Sequence, residues 1–371
     1  MIAAFFDNIT AMIVLTGVLV ALAAALPGTF LVLRGSAMLT DAISHAIVLG
    51  IVLVWLATGA LSGPVQLAGA ALAGLATVAL SELLARTRLV RMDAAIGLVF
   101  PALFALGVLL INLYARDVHL DEHTVLLGEI GFVWLDTRQV AGAEVPVAVL
   151  ALGAVLALNA AFVALFWKEL KLAVFDPALA AALGFAPALV IGGLLALTSV
   201  TAVAAFDAVG AILFIAFVIV PAATASLLTR RLGRMLALAM AVGVASVFSG
   251  HALAVLWDVS IGGMMAAMTG AFFVAAMVLA PEQGILAQAL LRRSHVADRD
   301  CLALVVHLAH HADAPARKGS DATMMADLRW DDPRARRAVL RGMDRGMLTR
   351  DDGRLALTDK GHATAKALIK R

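Results

Sequence analysis

Asp41 and His45 stand four residues apart near the start of a long apolar run, in Thr40-Asp41-Ala42-Ile43-Ser44-His45. On a helix that spacing puts both side chains on one face. Ionisable groups inside a membrane-length segment are costly to bury, and they mark transport paths, proton relays or ligand sites. A carboxylate with an imidazole is half of a donor shell for a divalent transition metal. Spacing alone leaves an alternative open: a helix-start aspartate that caps the segment and a hydrogen-bonded core histidine. Counted from Arg34 at 1.5 Å per residue, the pair is expected roughly 10–16 Å into the membrane, the depth at which transport sites lie. Two donors do not complete a divalent site, so a second copy or other helices must supply the rest.

Other polar residues are weaker candidates. His119 and His123 repeat the four-residue spacing, with Asp121 between them, inside an acidic stretch near 115–143 that also holds Asp117, Glu122, Glu129 and Asp136. That stretch is either an outer vestibule whose field attracts cations or a solvated loop with ordinary histidines. His251 is expected as a buried, hydrogen-bonded histidine, and Asp207 as the N-cap of a span. Met264, Met265 and Met268 are expected to pack as core residues.

The elements that must position these residues are membrane helices. Of 371 residues, 63% are apolar and 15% charged, against about 25% charged in soluble domains. The formal charge of +2 argues for no partner. The single cysteine, Cys301, excludes an intrachain disulfide and a thiolate cluster. The first apolar segment is too long for a signal-peptide core and is expected to be retained. Apolar stretches of spanning length lie near 11–33, 41–61, 65–85, 94–114, 145–166, 186–204, 207–228, 235–256 and 260–281. Pro177, Pro187 and Pro221 are expected breakers in the middle of this series.

Basic residues then set the orientation. Alternate loops carry Arg34; Arg86, Arg88 and Arg91; Lys168 and Lys171; Arg230, Arg231 and Arg234; and Arg292 and Arg293. The opposite loops carry Arg116 and Arg138. The N-terminus is therefore expected outside and the C-terminus in the cytoplasm. The cytoplasmic segment 167–185 contains Asp176-Pro177, a helix start, and Gly184, a helix stop. This short surface helix either docks a partner or lies in the interface. No Gly-Lys dipeptide occurs, so the chain carries no usual P-loop. An ATP-driven mechanism would need a separate ATPase.

Two domains joined by a linker are expected: a transmembrane part over 1–285, the linker over 286–297 and a cytoplasmic part over 298–371. From residue 294 onward there are 15 basic and 11 acidic residues. Helical periodicity covers 298–312 and 332–347, with a further helix at 320–330 capped by Ser320. A hairpin turns at Asp351-Asp352-Gly353 and a last helix follows Thr358. That order is the order of a winged-helix domain. Arg334, Arg337, Arg341 and Arg345 form a stripe that suits phosphate backbone; a solvated face or a protein contact is the favoured alternative, and nucleic acid is not expected as a partner. His307, His310, His311 and Cys301 read as ordinary helix residues rather than a metal set.

Several segments together resemble one family: Met38 to Ala46, Asp93 to Phe100, Leu126-Leu127-Gly128-Glu129, Lys168 to Lys171 with Phe175-Asp176-Pro177, and Phe206 to Gly210 with Val220 to Ala225. Over about residues 10–282 the chain resembles the membrane permease of bacterial ABC importers for manganese, zinc and iron. The resemblance implies an all-helical polytopic permease with about nine spans, paired with a second permease copy or a sister chain. It also implies a cytoplasmic ATP-binding subunit and an extracytoplasmic metal-binding protein. It places metal coordination on Asp41 and His45, and ATPase coupling on Phe175, Asp176, Pro177 and Gly184. The implied cargo is a manganese, iron or zinc ion, with no permanently bound cofactor and no bond chemistry by this chain. The tail resembles the winged-helix domain of metal-dependent regulators, and Leu357-Thr358-Asp359-Lys360-Gly361 carries that likeness. Two other expectations stand beside this one: a proton-coupled secondary transporter using Asp41, His45 and His251, and a tail acting as a membrane-tethered DNA-binding sensor.

Overall fold

A computed structural model describes residues 8–59, 64–114, 129–140, 143–281, 283–310, 327–351 and 354–369. The membrane part begins with four long helices: α1 (Ile9–Arg34), α2 (Met38–Thr58), α3 (Pro64–Arg86) and α4 (Met92–Tyr114). A 3₁₀ turn at Ile130–Phe132 and the hairpin β1 (Thr137–Val140) and β2 (Ala143–Pro146) follow. The hairpin is antiparallel, with Thr137 opposite Pro146. Then come α5 (Val147–Leu165), the short α6 (Trp167–Phe175) and α7 (Pro177–Ala182), and the long α8 (Pro187–Leu228), α9 (Leu232–Trp257) and α10 (Ile261–Leu279).

Eight helices among the described residues are long and apolar enough to cross a membrane. Nine apolar segments were expected. The difference lies in α8, whose 42 residues absorb the sixth and seventh segments. A straight helix of that length would reach about 63 Å, twice the ~30 Å of hydrocarbon. Gly210 breaks it, with φ 76° and ψ 169°, a backbone region open essentially to glycine. Pro187, at the start of α8, lines a cavity with Arg34, Glu82 and Arg86. Gly210 lines another with Glu129–Phe132 and Val259–Gly263. Ala222 and Ala225, late in α8, pack with Val32 and Leu33 beside Arg34. The two arms therefore run in opposite senses along the bundle. Of the suspected breakers, Pro177 and Pro187 instead begin helices. Pro221 lies inside the second arm. Asp207 sits within the first arm, three residues before the break, and is not at a helix start.

The core centres on α1, α2 and α8. Phe30, Leu31, Leu39, Ile43, Leu194, Leu195, Phe214 and Phe217 are fully buried there. Gly28 lets α1 press against the second arm of α8. A Cβ at that position would lie 2.2 Å from the carbonyl oxygen of Val218.

Residues 279–371 form a separate compact unit. Its elements are α11 (Ile285–His310), α12 (Asp332–Asp344), β3 (Leu348–Asp351), β4 (Arg354–Leu357) and α13 (Asp359–Ile369). Residues 286–297, expected as a linker, belong to the continuous helix α11. The expected 320–330 helix lies mostly outside the described residues. Cys301, Leu304, Val305, Ala338, Leu348 and Ala365 make a small core, and β3 pairs antiparallel with β4. The arginine stripe is not a free basic face. Arg334 holds Asp300 through two hydrogen bonds of 2.7 and 2.9 Å. Arg341 and Arg345 meet Asp298 at 2.9 and 2.7 Å. The hydrogen bond from Arg341 holds the Asp298 carboxyl below the usual carboxylate range. Arg337 bonds the Pro333 carbonyl of its own helix. Burial pushes the Cys301 thiol up, away from the thiolate that a metal needs.

Candidate functional site

The first turn of α2 carries Asp41, and its second carries His45. The chain reaches them through a left-handed turn at Gly35 that ends α1. Because α2 starts only at Met38, depth counted from Arg34 overstates the helical rise. From Met38 the two residues lie about 5 and 10 Å along the axis. That first turn is itself inside the bundle, since Leu39 and Thr40 are fully buried. The neighbouring helix gives the better ruler. His45 packs on Phe100 and Phe104 of α4, which are about 12 and 18 Å from the start of that ~33 Å helix. The imidazole therefore sits beside the middle of α4.

The geometry of the pair is open. His45 Nε2 lies 3.6 Å from Asp41 Oδ1, and the two side chains are 39% and 34% exposed. His45 keeps that exposure although its ring packs on α4 through Phe100 and Phe104. Among the described residues, no group of three or more His, Cys, Asp and Glu side chains converges to form a metal shell. What the described residues present is a carboxylate and an imidazole on one helix face, each about a third exposed.

The other candidates fall as follows. His119, Asp121 and His123 lie outside the described residues. Asp176 caps α7 by accepting a 2.9 Å hydrogen bond from the Leu179 amide, with Pro177 at the first helical position. Gly184, at φ +86°, ends the turn. Phe175, Leu179 and Leu183 are exposed around this short helix, while Leu170 and Ala173 of α6 are buried beneath. A cavity of about 420 Å³ joins this region to the ends of α1 and α3, lined by Pro177, Pro187, Arg34, Glu82 and Arg86. Glu82 bridges Arg34 at 3.2 Å and Arg86 at 3.6 Å. The turn leading into Asp41 is thus tied to the helix next to α7. His251 of α9 has a buried Nδ1 without a partner among the described residues, and Asp258 ends α9 in a left-handed conformation. Met265 is fully buried and backs onto Gly250, as ordinary packing.

Two features went unread in the sequence. Phe100 and Phe104 have the same four-residue spacing as the polar pair, a signal that apolar composition masks. Asn159 of α5 donates to the Ala23 carbonyl of α1 at 3.0 Å and to Thr201 Oγ1 of α8 at 2.9 Å. A lone asparagine in an apolar segment is the trace of that role.

A bundle of membrane-length helices, with a carboxylate–imidazole pair on one helix face and a short capped helix at the basic end, defines a polytopic permease. The chain belongs to the ABC 3 transport family, which matches residues 6–280. It is 43% identical over 359 residues to the zinc transport system membrane protein TroD of Treponema pallidum, covering 96% of this chain and 98% of that one. It is 46% identical over 281 residues to the manganese transport system membrane protein MntD of Bacillus subtilis, covering 76% and 95%. Among solved structures, PsaBC from Streptococcus pneumoniae in complex with Fab superposes with a TM-score of 0.62 at 28% identity, over 76% of this chain and 98% of that chain.

Proposed function

We propose that this chain is the membrane permease of an ATP-driven importer that carries a divalent transition metal, manganese or iron and possibly zinc, into the cytoplasm by alternating access. The observation that carries this is the half-shell of Asp41 and His45, set beside the middle of α4 and left a third exposed. A second copy of the chain, or a sister permease, brings its own pair across the interface and raises the donor count to four. Carboxylate and imidazole donors suit these ions. A site divided between two bodies is also made and unmade by their relative movement, which a transported ion requires.

The energy enters through a separate cytoplasmic ATP-binding subunit. The segment from Phe175 and Asp176-Pro177 to Gly184 docks it, an assignment supported by the exposed Phe175, Leu179 and Leu183. Its movement reaches the metal pair through the Arg34–Glu82–Arg86 bridge at the end of α1. An extracytoplasmic metal-binding protein delivers the ion on the opposite face, past the acidic segment that holds His119, Asp121 and His123. In the inner membrane the N-terminus lies outside and the C-terminus in the cytoplasm, a reading supported by the asymmetry of basic residues between alternate loops. The tail is a cytoplasmic winged-helix module, a reading supported by its order of helices and hairpin.

Asp41→Ala and His45→Ala are each expected to abolish manganese uptake while the permease still assembles with its ATPase. Normal uptake by both variants removes this site.

A further inference from the structure

A histidine that binds a metal usually donates its second ring N–H to a carboxylate or a carbonyl, and that bond sets the ring plane. His45 lacks such a partner among the described residues. Its nearest polar neighbour is Asp41, at 3.6 Å, and that is the other proposed donor. Two aromatic rings stand in the place of an orienting bond. Phe100 is stacked on the imidazole, with centroids 5.6 Å apart and planes 25° apart. Phe104 meets it edge-on at 5.7 Å and 75°. The two phenylalanines are four apart on α4 and so share one face. One closes the ring from its flat side and the other from an orthogonal direction, which together restrict both torsions of the side chain.

We infer that Phe100 and Phe104 are positioning residues that set the imidazole plane of His45 by ring packing, in place of a hydrogen-bonded partner. This inference rests on the assignment of Asp41 and His45 as metal donors. Packing of this kind differs from a hydrogen bond in one respect. It fixes the plane but not the choice between two half-turn orientations, which exchange each nitrogen with a ring carbon. The orientation observed keeps Nε2 on the Asp41 side. The arrangement orients the ring without adding basicity to it, as a carboxylate partner would. That suits an ion that must leave as readily as it arrives.

The test is the initial rate of manganese(II) uptake against concentration, in cells expressing the full chain with its partner subunits, normalised to permease in the membrane. Phe100→Leu and Phe104→Leu keep apolar bulk but lose the ring. Each is expected to raise the uptake KM roughly threefold to tenfold, the range that an aromatic pair commands, with a maximal rate within about twofold of the parent. Phe100→Tyr retains the ring and is expected to restore the parent KM. Phe162→Leu, which removes a ring from the distant Phe162–Phe166 pair at 4.9 Å, is expected to leave KM unchanged. Should Phe100→Leu not accumulate, Phe100→Met and Phe104→Leu carry the same comparison. An unchanged KM in the leucine variants, with Asp41→Ala and His45→Ala inactive, overturns the positioning role and leaves the metal site standing. Full uptake by Asp41→Ala and His45→Ala overturns both together.

Discussion

Pro27 lies inside α1 and has no N–H, so the carbonyl four residues earlier, on Ala23, loses its partner within the helix. In an apolar bundle an unpaired carbonyl is costly, and a neighbouring helix must serve it. Asn159 does so, at 3.0 Å. Its amide also reaches Thr201 Oγ1, whose own hydroxyl donates to the Leu197 carbonyl. Asn159→Leu keeps the volume close and removes the donor. Thr201 keeps its bond to Leu197, so the loss falls mainly on Ala23. An orphaned buried acceptor costs about 1–3 kcal/mol, and interhelical hydrogen bonds in membranes measure about 0.6 and at most ~1.7 kcal/mol. A loss near 1–2 kcal/mol is the expectation, or roughly 1–3 °C in melting temperature for a chain of 371 residues. In a Pro27→Ala background, residue 27 has an N–H that bonds Ala23 within α1, and Asn159 becomes dispensable there. The assay is thermal unfolding of the purified full-length protein in detergent, for the parent, both single variants and the double variant. Any cavity left by Pro27→Ala is present in both of its members and cancels in the cycle. Asn159→Leu should lower the melting temperature by about 1–3 °C in the parent and by less than half as much in Pro27→Ala. Equal shifts in the two backgrounds refute this account of Asn159.

The break in α8 and the ion pairs of the tail give two further tests. Gly210→Ala places a Cβ at φ 76° and ψ 169°, and should cost about 1–3 kcal/mol; an unchanged yield of folded protein and an unchanged melting temperature count against the break. Asp298 has a depressed pKa in the folded tail because Arg341 and Arg345 hold its charge. The unfolded value near 3.9 is higher, so this stabilisation is fully present above about pH 4 and fades as pH falls through the folded pKa. Asp298→Asn should therefore lower the tail's melting temperature at pH 7, and the gap to the parent should close in acid; a gap independent of pH would remove the charge from the explanation.

Composition and period made much of the membrane part legible. Apolar stretches of spanning length located each candidate membrane span among the described residues to within a few residues, because length and hydropathy answer to the bilayer rather than to a neighbour. Asp176-Pro177 and Gly184 were equally readable, since a cap is written in adjacent residues. The sequence misread those places where distant residues decide. Asp207 looked like the cap of a new span, yet the chain is already helical from Pro187 and breaks only at Gly210. The arginines of α12 looked free because Asp298 and Asp300 stand more than thirty residues earlier.

Asp41 and His45 divide along the same line. Their spacing, on a helix of membrane length, determined that they share a face, because helical period is a local property of the chain. The tertiary structure decided the rest: the depth of the imidazole along α4, its packing on Phe100 and Phe104, and the partial exposure of both side chains. Those depend on which helices touch, and packing between segments far apart in sequence leaves no periodic mark in either of them.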